Sequence, residues 1–539
     1  LPIAGIIFHS LFYKIFGIIS FVIIELFCIF FFLLIFEKIF SYFFSENNSI
    51  LFSLIIFILP SLITLLNLQF LPFISLLETN FYTLRVPRPM VSSLYFFTFV
   101  YLMVSMYMTE FHVKKKFIYL GIIFGLTLSS FYYYFFIEAL AFFLLICTKF
   151  RKNLIKEIYK NFYFYGLLLI FFSITVLPFF TNLFLHESDF TNRQCVFELD
   201  LSRKIILIKH YLISYLRPNF LILITILSFL VFLSNKFKIV NYKIINIFYI
   251  IFISCILAPI LFLTLSSKSC VLYHFNNLII VWTTLLLFIL IIIFFQNQIK
   301  FNINYKLRNL LIILFLSTYA FISFEKVNDY SKDKYKNTHR KEFQQVASLI
   351  DKNFDLTKSS LLTFDNDMMI WSIMNDVQYL NLINGLFISK TDEMIENDLI
   401  NTFKFLNLDS KDFMNFIKNK KTSWRYMNLN VADFFFYKYQ ANSLITFKNS
   451  DDFSKKVLID IKNSSPILQQ QSIIPNFELM RLEKKFLDLS FNNLKIPMII
   501  VLDKNNKIFK SIKINEVKYC KKFNGAQFVL YFHKSSNNC

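Results

Sequence analysis

The sequence predicts an α-helical polytopic membrane bundle of about ten spans, followed by a small mixed α/β soluble domain. Three observations support this fold class. The chain of 539 residues is 56% hydrophobic, more than the ~45–50% that is usual for soluble proteins. Its apolar residues are concentrated in runs that match a ~30 Å hydrocarbon core. After residue 325 these runs stop, so we divide the chain into a transmembrane domain, 1–325, and a soluble domain, 326–539.

The apolar runs predict the membrane helices in order. They lie at residues 15–36, 50–67, 91–109, 117–131, 133–149, 162–184, 218–234, 244–265, 275–295 and 309–324. Residues 3–13 predict a short interfacial or re-entrant helix. The runs 117–131 and 133–149 are separated by almost no loop, which leaves two interpretations open: a tight helical hairpin or one long helix.

Basic residues in the loops predict the orientation, because cytoplasmic loops are enriched in Lys and Arg. One set of alternating loops holds fifteen of them: Lys38, Lys114, Lys115, Lys116, Lys149, Arg151, Lys152, Lys156, Lys160, Lys236, Lys238, Lys243, Lys300, Lys306 and Arg308. The opposite set holds eight: Arg85, Arg88, Arg193, Arg203, Lys204, Lys209, Arg217 and Lys268. The first set is therefore predicted to be cytoplasmic, and the C-terminal domain extracytoplasmic, in a membrane such as the bacterial inner membrane.

The soluble domain shows mixed patterning. Residues 361–364, 497–502 and 527–532 are short apolar runs bounded by polar turns, which predicts strands. Residues 341–353, 366–375, 391–406 and 410–418 predict helices. A small α/β or α+β domain follows from this alternation.

Composition excludes some classes of function. The net charge of +21 would suggest nucleic-acid binding in a soluble protein, but here much of the charge lies in loops between spans, so we predict no nucleic-acid partner. The 73 Phe and 28 Tyr residues accompany abundant Ile, Lys and Asn, which is typical of an A+T-biased genome. The seven Cys residues show no metal-ligand spacing; a Cys195–Cys270 disulfide is one alternative if both lie outside the cytoplasm. The sequence leaves any cofactor unknown.

The first candidate site is the predicted outer loop 68–90. Its Arg85 and Arg88 offer planar, bidentate donors that match phosphate oxygens. Glu78 is a candidate general base for a hydroxyl, and Tyr82 is a candidate substrate contact. The alternative is a loop whose charges are solvated or contact lipid headgroups.

Three further candidates lie at or within the membrane. His274, at the outer end of a span, is suited to phosphate binding or acid–base work, or simply starts an interfacial helix. Glu25 and Glu138 lie inside apolar runs, where a charge costs several kcal/mol and therefore tends to face a cavity or a partner. Glu138 is near the outer end of its span and is a candidate catalytic residue; proton coupling or a structural pair is the alternative.

Two patterns resemble a known superfamily. The chain opens with Pro2, an apolar stretch, Lys14 and then Phe16 and Gly17 before a long span. Gly121 and Gly125 followed by Leu126 resemble a G-x-x-x-G-L hairpin. These patterns, with many spans before an outer C-terminal domain, are similar to the C-type polytopic glycosyltransferases, which take sugars from polyprenyl-phosphate donors.

The resemblance implies sugar transfer at the outer face, with a lipid bilayer and a polyprenyl-phosphate-linked sugar as partners. It also implies an essential acidic residue in the first outer loop after the first span. In this chain that loop would precede Leu1, which leaves two alternatives open: the loop lies in a segment upstream, or the resemblance is limited to the architecture.

Further interpretations stay open. Asp365, Asn366 and Asp367 mimic the D-x-D motif of soluble glycosyltransferases, but we interpret them as a strand-to-helix turn, and we predict no metal site. The charged loop 185–217 fits a lid, a substrate-contacting helix or a solvated loop, and it keeps an O-antigen polymerase or ligase type of enzyme as an alternative. A transporter or flippase is a rival hypothesis from a different class of function, and so is a non-catalytic scaffold.

Overall fold

The structure is a computed structural model with helices in its first part and a mixed sheet near its C-terminus. It describes residues 3–65, 90–185, 197–198, 201, 204–205, 208–209, 211–212, 218–238, 242–266, 268–269, 273–298, 304–332, 334–363, 365, 368, 371–372, 375, 377–379, 392–418, 476–489, 496–505, 512, 514–536 and 539. The chain divides into two units. The helical unit is Leu1–Leu185 with Leu199–Glu325, and the sheet unit is His186–Glu198 with Lys326–Cys539.

Each predicted apolar run corresponds to a helix over most of its described residues, and the first run, 15–36, is divided between two helices by a 3₁₀ turn at Gly17–Ile19. The helices are α1 (Ile3–Phe16), α2 (Ser20–Phe40), α3 (Glu46–Leu65), α4 (Met90–Met108), α5 (Lys114–Phe150), α6 (Leu154–Lys160), α7 (Phe162–Leu185), α8 (Pro218–Lys236), α9 (Tyr242–Leu265), α10 (Tyr273–Gln298) and α11 (Tyr305–Lys332). Two short strands, β1 (Phe197–Glu198) and β2 (Lys268–Ser269), lie between them in sequence.

Within the described residues, five helices are long and apolar enough to cross a membrane. These are α2, α4, α5, residues Phe162–Thr181 of α7, and α9. The chain is therefore a multi-pass membrane protein by length and composition of its helices, and the full count of about ten spans stays a prediction.

Helix α5 is in fact a hairpin. Phe131 has non-helical backbone angles (φ −150, ψ 83), and the rings of Phe117 and Phe142 lie 6.2 Å apart. A straight helix would separate these two residues by roughly 37 Å at 1.5 Å per residue. The chain therefore reverses at Phe131, and of the two interpretations left open by the sequence the tight hairpin is correct. We call residues 114–130 the first arm and 132–150 the second arm.

The sheet unit contains a five-stranded mixed sheet flanked by helices. Its strands are β3 (Ser360–Thr363), β4 (Gln378–Tyr379), β5 (Ile499–Asp503), β6 (Tyr519–Asn524) and β7 (Phe528–His533), in the order β4-β3-β5-β7-β6. Strands β4, β3 and β5 are parallel, and β7 is antiparallel to both β5 and β6. The helices are α12 (Lys334–Asn353), α13 (Asp392–Phe405), α14 (Ser410–Lys418) and α15 (Asn476–Asp488).

Alternate side chains along the strands pack on opposite faces of the sheet, which gives the sheet unit two separate apolar layers. Leu361, Ile499 and Val501 pack with Val346 and Ile350 of α12 on one face. Residues one position later along the strands pack on the other face against α13, α14 and α15: Leu362, Ile500 and Leu502 pack with Leu399, Phe403, Phe413, Leu482 and Phe486. Strands buried on both faces read as continuous apolar runs, which is why these strands were visible in the sequence.

Candidate functional site

The best-described candidate site lies inside the helical unit, around the hairpin. The Glu138 side chain on the second arm is fully buried. Its Oε2 atom accepts a 2.7 Å hydrogen bond from the Thr127 hydroxyl on the first arm. The bond therefore fastens one arm to the other close to the turn at Phe131.

A hydroxyl pair lies one helical turn away from Glu138. Tyr134 and Ser93 of α4 share a hydrogen bond of 2.9 Å, and the Tyr134 ring stacks on Phe96 with centroids 4.5 Å apart. Residues four apart share one face of a helix, so Tyr134 and Glu138 present a hydroxyl and a carboxyl to the same side of the second arm.

The buried polar atoms that have no hydrogen-bond partner in the described part of the chain include two near the hairpin. They are Oε1 of Glu138 and Nε1 of Trp282; the Trp282 ring lies against Phe96, with centroids 5.6 Å apart. A buried polar atom without a partner costs about 1–3 kcal/mol. These atoms are accordingly the groups of this region that a polar ligand or a water would satisfy.

The hairpin glycines allow close packing of α7 on the first arm. A Cβ atom at Gly121 would collide with the carbonyl oxygen of Leu168, and one at Gly125 would stand 2.6 Å from Cβ of Thr175. The G-x-x-x-G-L pattern therefore has a direct structural role, since small residues let membrane helices approach.

The structure does not describe the residues of the predicted outer loop that we named as site candidates. Glu78, Tyr82, Arg85 and Arg88 lie outside the described residues. Their roles stay predictions.

Two other candidates can be placed on helices. His274 lies in the first turn of α10, but its side chain is outside the described residues. Glu25 lies in α2 and is half-buried. The suggested Cys195–Cys270 disulfide also falls on residues that the structure does not describe.

A second polar cluster lies at the carboxyl ends of β3 and β5 in the sheet unit. Asp365 follows β3, and its Oδ1 atom accepts the Met368 N–H at 2.8 Å, which agrees with its interpretation as a turn residue. Its Oδ2 atom lies 3.5 Å from Nε2 of His339 on α12. Burial raises the pKa of Asp503, and the neighbouring Asp365 carboxylate adds to that rise. Among the described residues, no three His, Cys, Asp or Glu side chains are placed to hold a metal ion.

Sequence reasoning missed the ion pairs that join α13 to α15. Glu396 is almost fully buried and accepts hydrogen bonds from Arg481 at 2.8 Å and 3.0 Å and from Lys485 at 2.9 Å. The spacing of Arg481 and Lys485, four apart on one helix face, was the available signal.

Sequence reasoning also missed the disulfide. Cys520 of β6 is bonded to Cys539. The sequence places both cysteines outside the apolar runs, which was the one available signal for the pair.

Comparisons with protein-family models, with curated proteins and with solved structures give no match for this chain.

Proposed function

We propose that this chain is a membrane-embedded glycosyltransferase-like protein that moves a sugar from a polyprenyl-phosphate donor to an acceptor at the outer face of the membrane. The observation that carries the proposal is the Cys520–Cys539 disulfide in the sheet unit. Disulfides persist in oxidising compartments and are rare in the cytosol. The disulfide therefore supports the orientation predicted from the basic loops, in which the soluble domain and the loop 68–90 face outward.

The outward orientation selects the donor. Sugar nucleotides are cytosolic, whereas a polyprenyl-phosphate sugar is held in the membrane and is available at the outer face. Apolar helices exposed on their outer surface, such as α7 with Leu169, Ile174 and Leu177, suit a bilayer, and a groove between such helices would hold the polyprenyl tail.

The proposed chemistry is a single displacement at the sugar. Glu78 takes the proton of the acceptor hydroxyl, the acceptor oxygen bonds to the anomeric carbon, and the bond from that carbon to the phosphate oxygen breaks. Arg85 and Arg88 stabilise the charge that develops on the departing lipid phosphate, with His274 as a further donor and Tyr82 as a sugar contact.

A transfer assay with the full chain in proteoliposomes tests the proposal. The probes are polyprenyl-phosphate hexoses and pentoses, and the readout is release of polyprenyl phosphate. Arg88→Ala and Glu78→Gln should each lower the rate by about a hundredfold or more at unchanged membrane expression. Arg217→Ala, in the loop 185–217, is the matched control and should leave the rate unchanged. Normal transfer in Arg88→Ala together with loss in Arg217→Ala would move the site to the loop 185–217, as in the polymerase or ligase alternative.

Glu138 favours a second candidate function, a proton-coupled transporter or flippase. Its carboxyl is buried among membrane helices and has one oxygen without a partner in the described residues, which suits proton coupling. Glu138→Gln keeps an acceptor for Thr127 but removes the titrating group. If this variant moves a fluorescent polyprenyl-phosphate lipid between leaflets normally and loses sugar transfer, Glu138 is catalytic. If the wild-type chain shows no transferase activity and the Glu138→Gln variant loses lipid movement, the result would favour the flippase.

A further inference from the structure

The connection between α5 and α7 is a short basic and apolar segment. It comprises a turn of 3₁₀ helix, Arg151–Asn153, then α6, and the start of α7. Its apolar side chains are largely exposed: Ile155 by 84%, Tyr159 by 83% and Phe162 by 71%. We call residues 151–163 the juxtamembrane segment.

The hairpin fixes where this segment lies along the helices. The second arm ends at Phe150, and Arg151 takes a positive φ of 37°, a backbone conformation that interrupts a helix. Helix α7 then begins at Phe162 and returns along the first arm, where Leu168 and Thr175 contact Gly121 and Gly125. Both α5 and α7 are candidate membrane spans. The juxtamembrane segment therefore lies at the end of these spans, at the level of a membrane surface.

The faces of α6 are divided between apolar and basic residues. Ile155 and Tyr159 are four residues apart, as are Lys156 and Lys160, so each pair occupies one face of the helix. Both lysines are exposed. Helices of this composition lie in the membrane interface, with the apolar face among the lipids and the basic face towards the headgroups.

The acidic residue of α6 is turned to the protein. Oε1 of Glu157 lies 3.5 Å from Nδ1 of His112 and accepts a 2.8 Å hydrogen bond from the Asn161 amide. Lys114 and Lys115, at the start of the first arm, are exposed at the same end of the hairpin. Although Glu110 is also exposed there, the basic side chains outnumber it.

We propose that the juxtamembrane segment is a binding surface for anionic phospholipids. Ile155, Tyr159 and Phe162 enter the boundary between acyl chains and headgroups, and Lys156 and Lys160 bind the lipid phosphates. This inference does not depend on the sugar-transfer proposal, because it requires only that the two arms of α5 and helix α7 cross the membrane.

Fluorescence quenching by brominated lipids tests the proposal on the full chain in proteoliposomes. Tyr159→Trp introduces a reporter at an exposed position, and the signal of the unsubstituted chain is subtracted. Brominated phosphatidylglycerol should quench Trp fluorescence at this position more strongly than brominated phosphatidylcholine at equal mole fraction. Adding Lys156→Gln and Lys160→Gln should reduce this preference about five-fold per lysine, and high salt should weaken the preference further.

Lys411→Gln with Lys484→Gln is the matched control, because it removes the same charge from exposed positions of the sheet unit. It should leave the lipid preference unchanged. Equal quenching by the two lipids at low salt would overturn the proposal by leaving only an apolar contact. Absence of quenching by either lipid would overturn it by placing the segment in water.

Discussion

At the scale of single residues, Glu342 uses both of its carboxylate oxygens to accept hydrogen bonds from backbone N–H groups. Its Oε1 accepts the Ala526 N–H at 2.7 Å, and its Oε2 accepts those of Gln527 and Phe528, each at 2.9 Å. Burial of the carboxyl acts against ionisation, but these three N–H groups and the nearby Lys504 lower the pKa of Glu342 below its usual value. Helix α12 is thereby joined to the turn between β6 and β7.

Glu342→Gln should loosen this turn. Hydrogen bonds to a charged group contribute about 1.5–3 kcal/mol, so amide exchange over residues 525–533 should accelerate roughly ten-fold or more at pH 7. Because the folded pKa is lowered, the stabilisation is present above the unfolded pKa of about 4.3 and is lost as the pH falls through the folded pKa. The difference in protection factors between variant and wild type, measured by hydrogen exchange and mass spectrometry, should therefore shrink on acidification.

Gly525→Ala provides an independent check, since a Cβ there would collide with the Glu342 carboxylate. It should reproduce the effect of Glu342→Gln, and the double variant should be no worse than either. Additive effects of the two substitutions would contradict the assignment.

Thr127 makes a second prediction at this scale. Thr127→Val keeps the shape of the side chain but removes the hydroxyl that Glu138 accepts from. A buried carboxyl oxygen would then have lost its donor, at about 1–3 kcal/mol, so the thermal unfolding temperature of the detergent-solubilised chain should fall. Thr175→Val is the control, because the Thr175 hydroxyl bonds to Phe171 of its own helix. An equal effect of both substitutions would remove the special role of Thr127.

At the scale of elements, apolar runs were a good guide and polar elements were not. The predicted strands 361–364, 497–502 and 527–532 correspond to β3, β5 and β7, and the predicted helices 391–406 and 410–418 to α13 and α14. Strand β6 was missed because it is an edge strand with mostly exposed, polar residues such as Lys521 and Lys522. Helix α15, whose buried residues include Leu482 and Phe486, was missed because its apolar positions are sparse among charges.

Contacts between separate parts of the chain could not be predicted from the sequence, and those of Glu138 are an example. Glu138 was singled out as a carboxyl in an apolar run, but its bond to Thr127 depends on the turn at Phe131. In the sheet unit, the carboxylate of Glu342 accepts a hydrogen bond from an N–H group 184 residues away. No local sequence pattern predicts such a pair.

Substitution of the hairpin glycines tests the packing of α7 on the first arm. Gly121→Ala and Gly125→Ala should each destabilise the chain by about 1–3 kcal/mol, because their Cβ atoms would meet the backbone or Cβ of α7. Gly166→Ala is the matched control: nothing lies within 4 Å of its Cβ position, and Ala is favoured over Gly in helices. Thermal unfolding in detergent measures all three. Equal stability of Gly121→Ala and Gly166→Ala would contradict close packing of α7 on the first arm.

At the scale of the whole molecule, two independent features indicate the same orientation. The basic residues favour one set of loops on the cytoplasmic side, and the Cys520–Cys539 disulfide is typical of an oxidising compartment, which favours the proposed outer location of the sheet unit. The first feature belongs to the helical unit and the second to the sheet unit, so each supports the proposed orientation independently of the other.

Selective reduction in sealed right-side-out vesicles tests this orientation. A membrane-impermeant phosphine should reduce Cys520–Cys539, and an impermeant maleimide should then label both thiols. The buried Cys28 and Cys255 should stay unlabelled in the native chain. Cys520→Ser with Cys539→Ser is the control that identifies the labelled positions. Labelling of Cys520 and Cys539 that appears only after the membrane is opened would place the sheet unit in the cytoplasm, and it would remove the outer-face argument for a lipid-linked sugar donor.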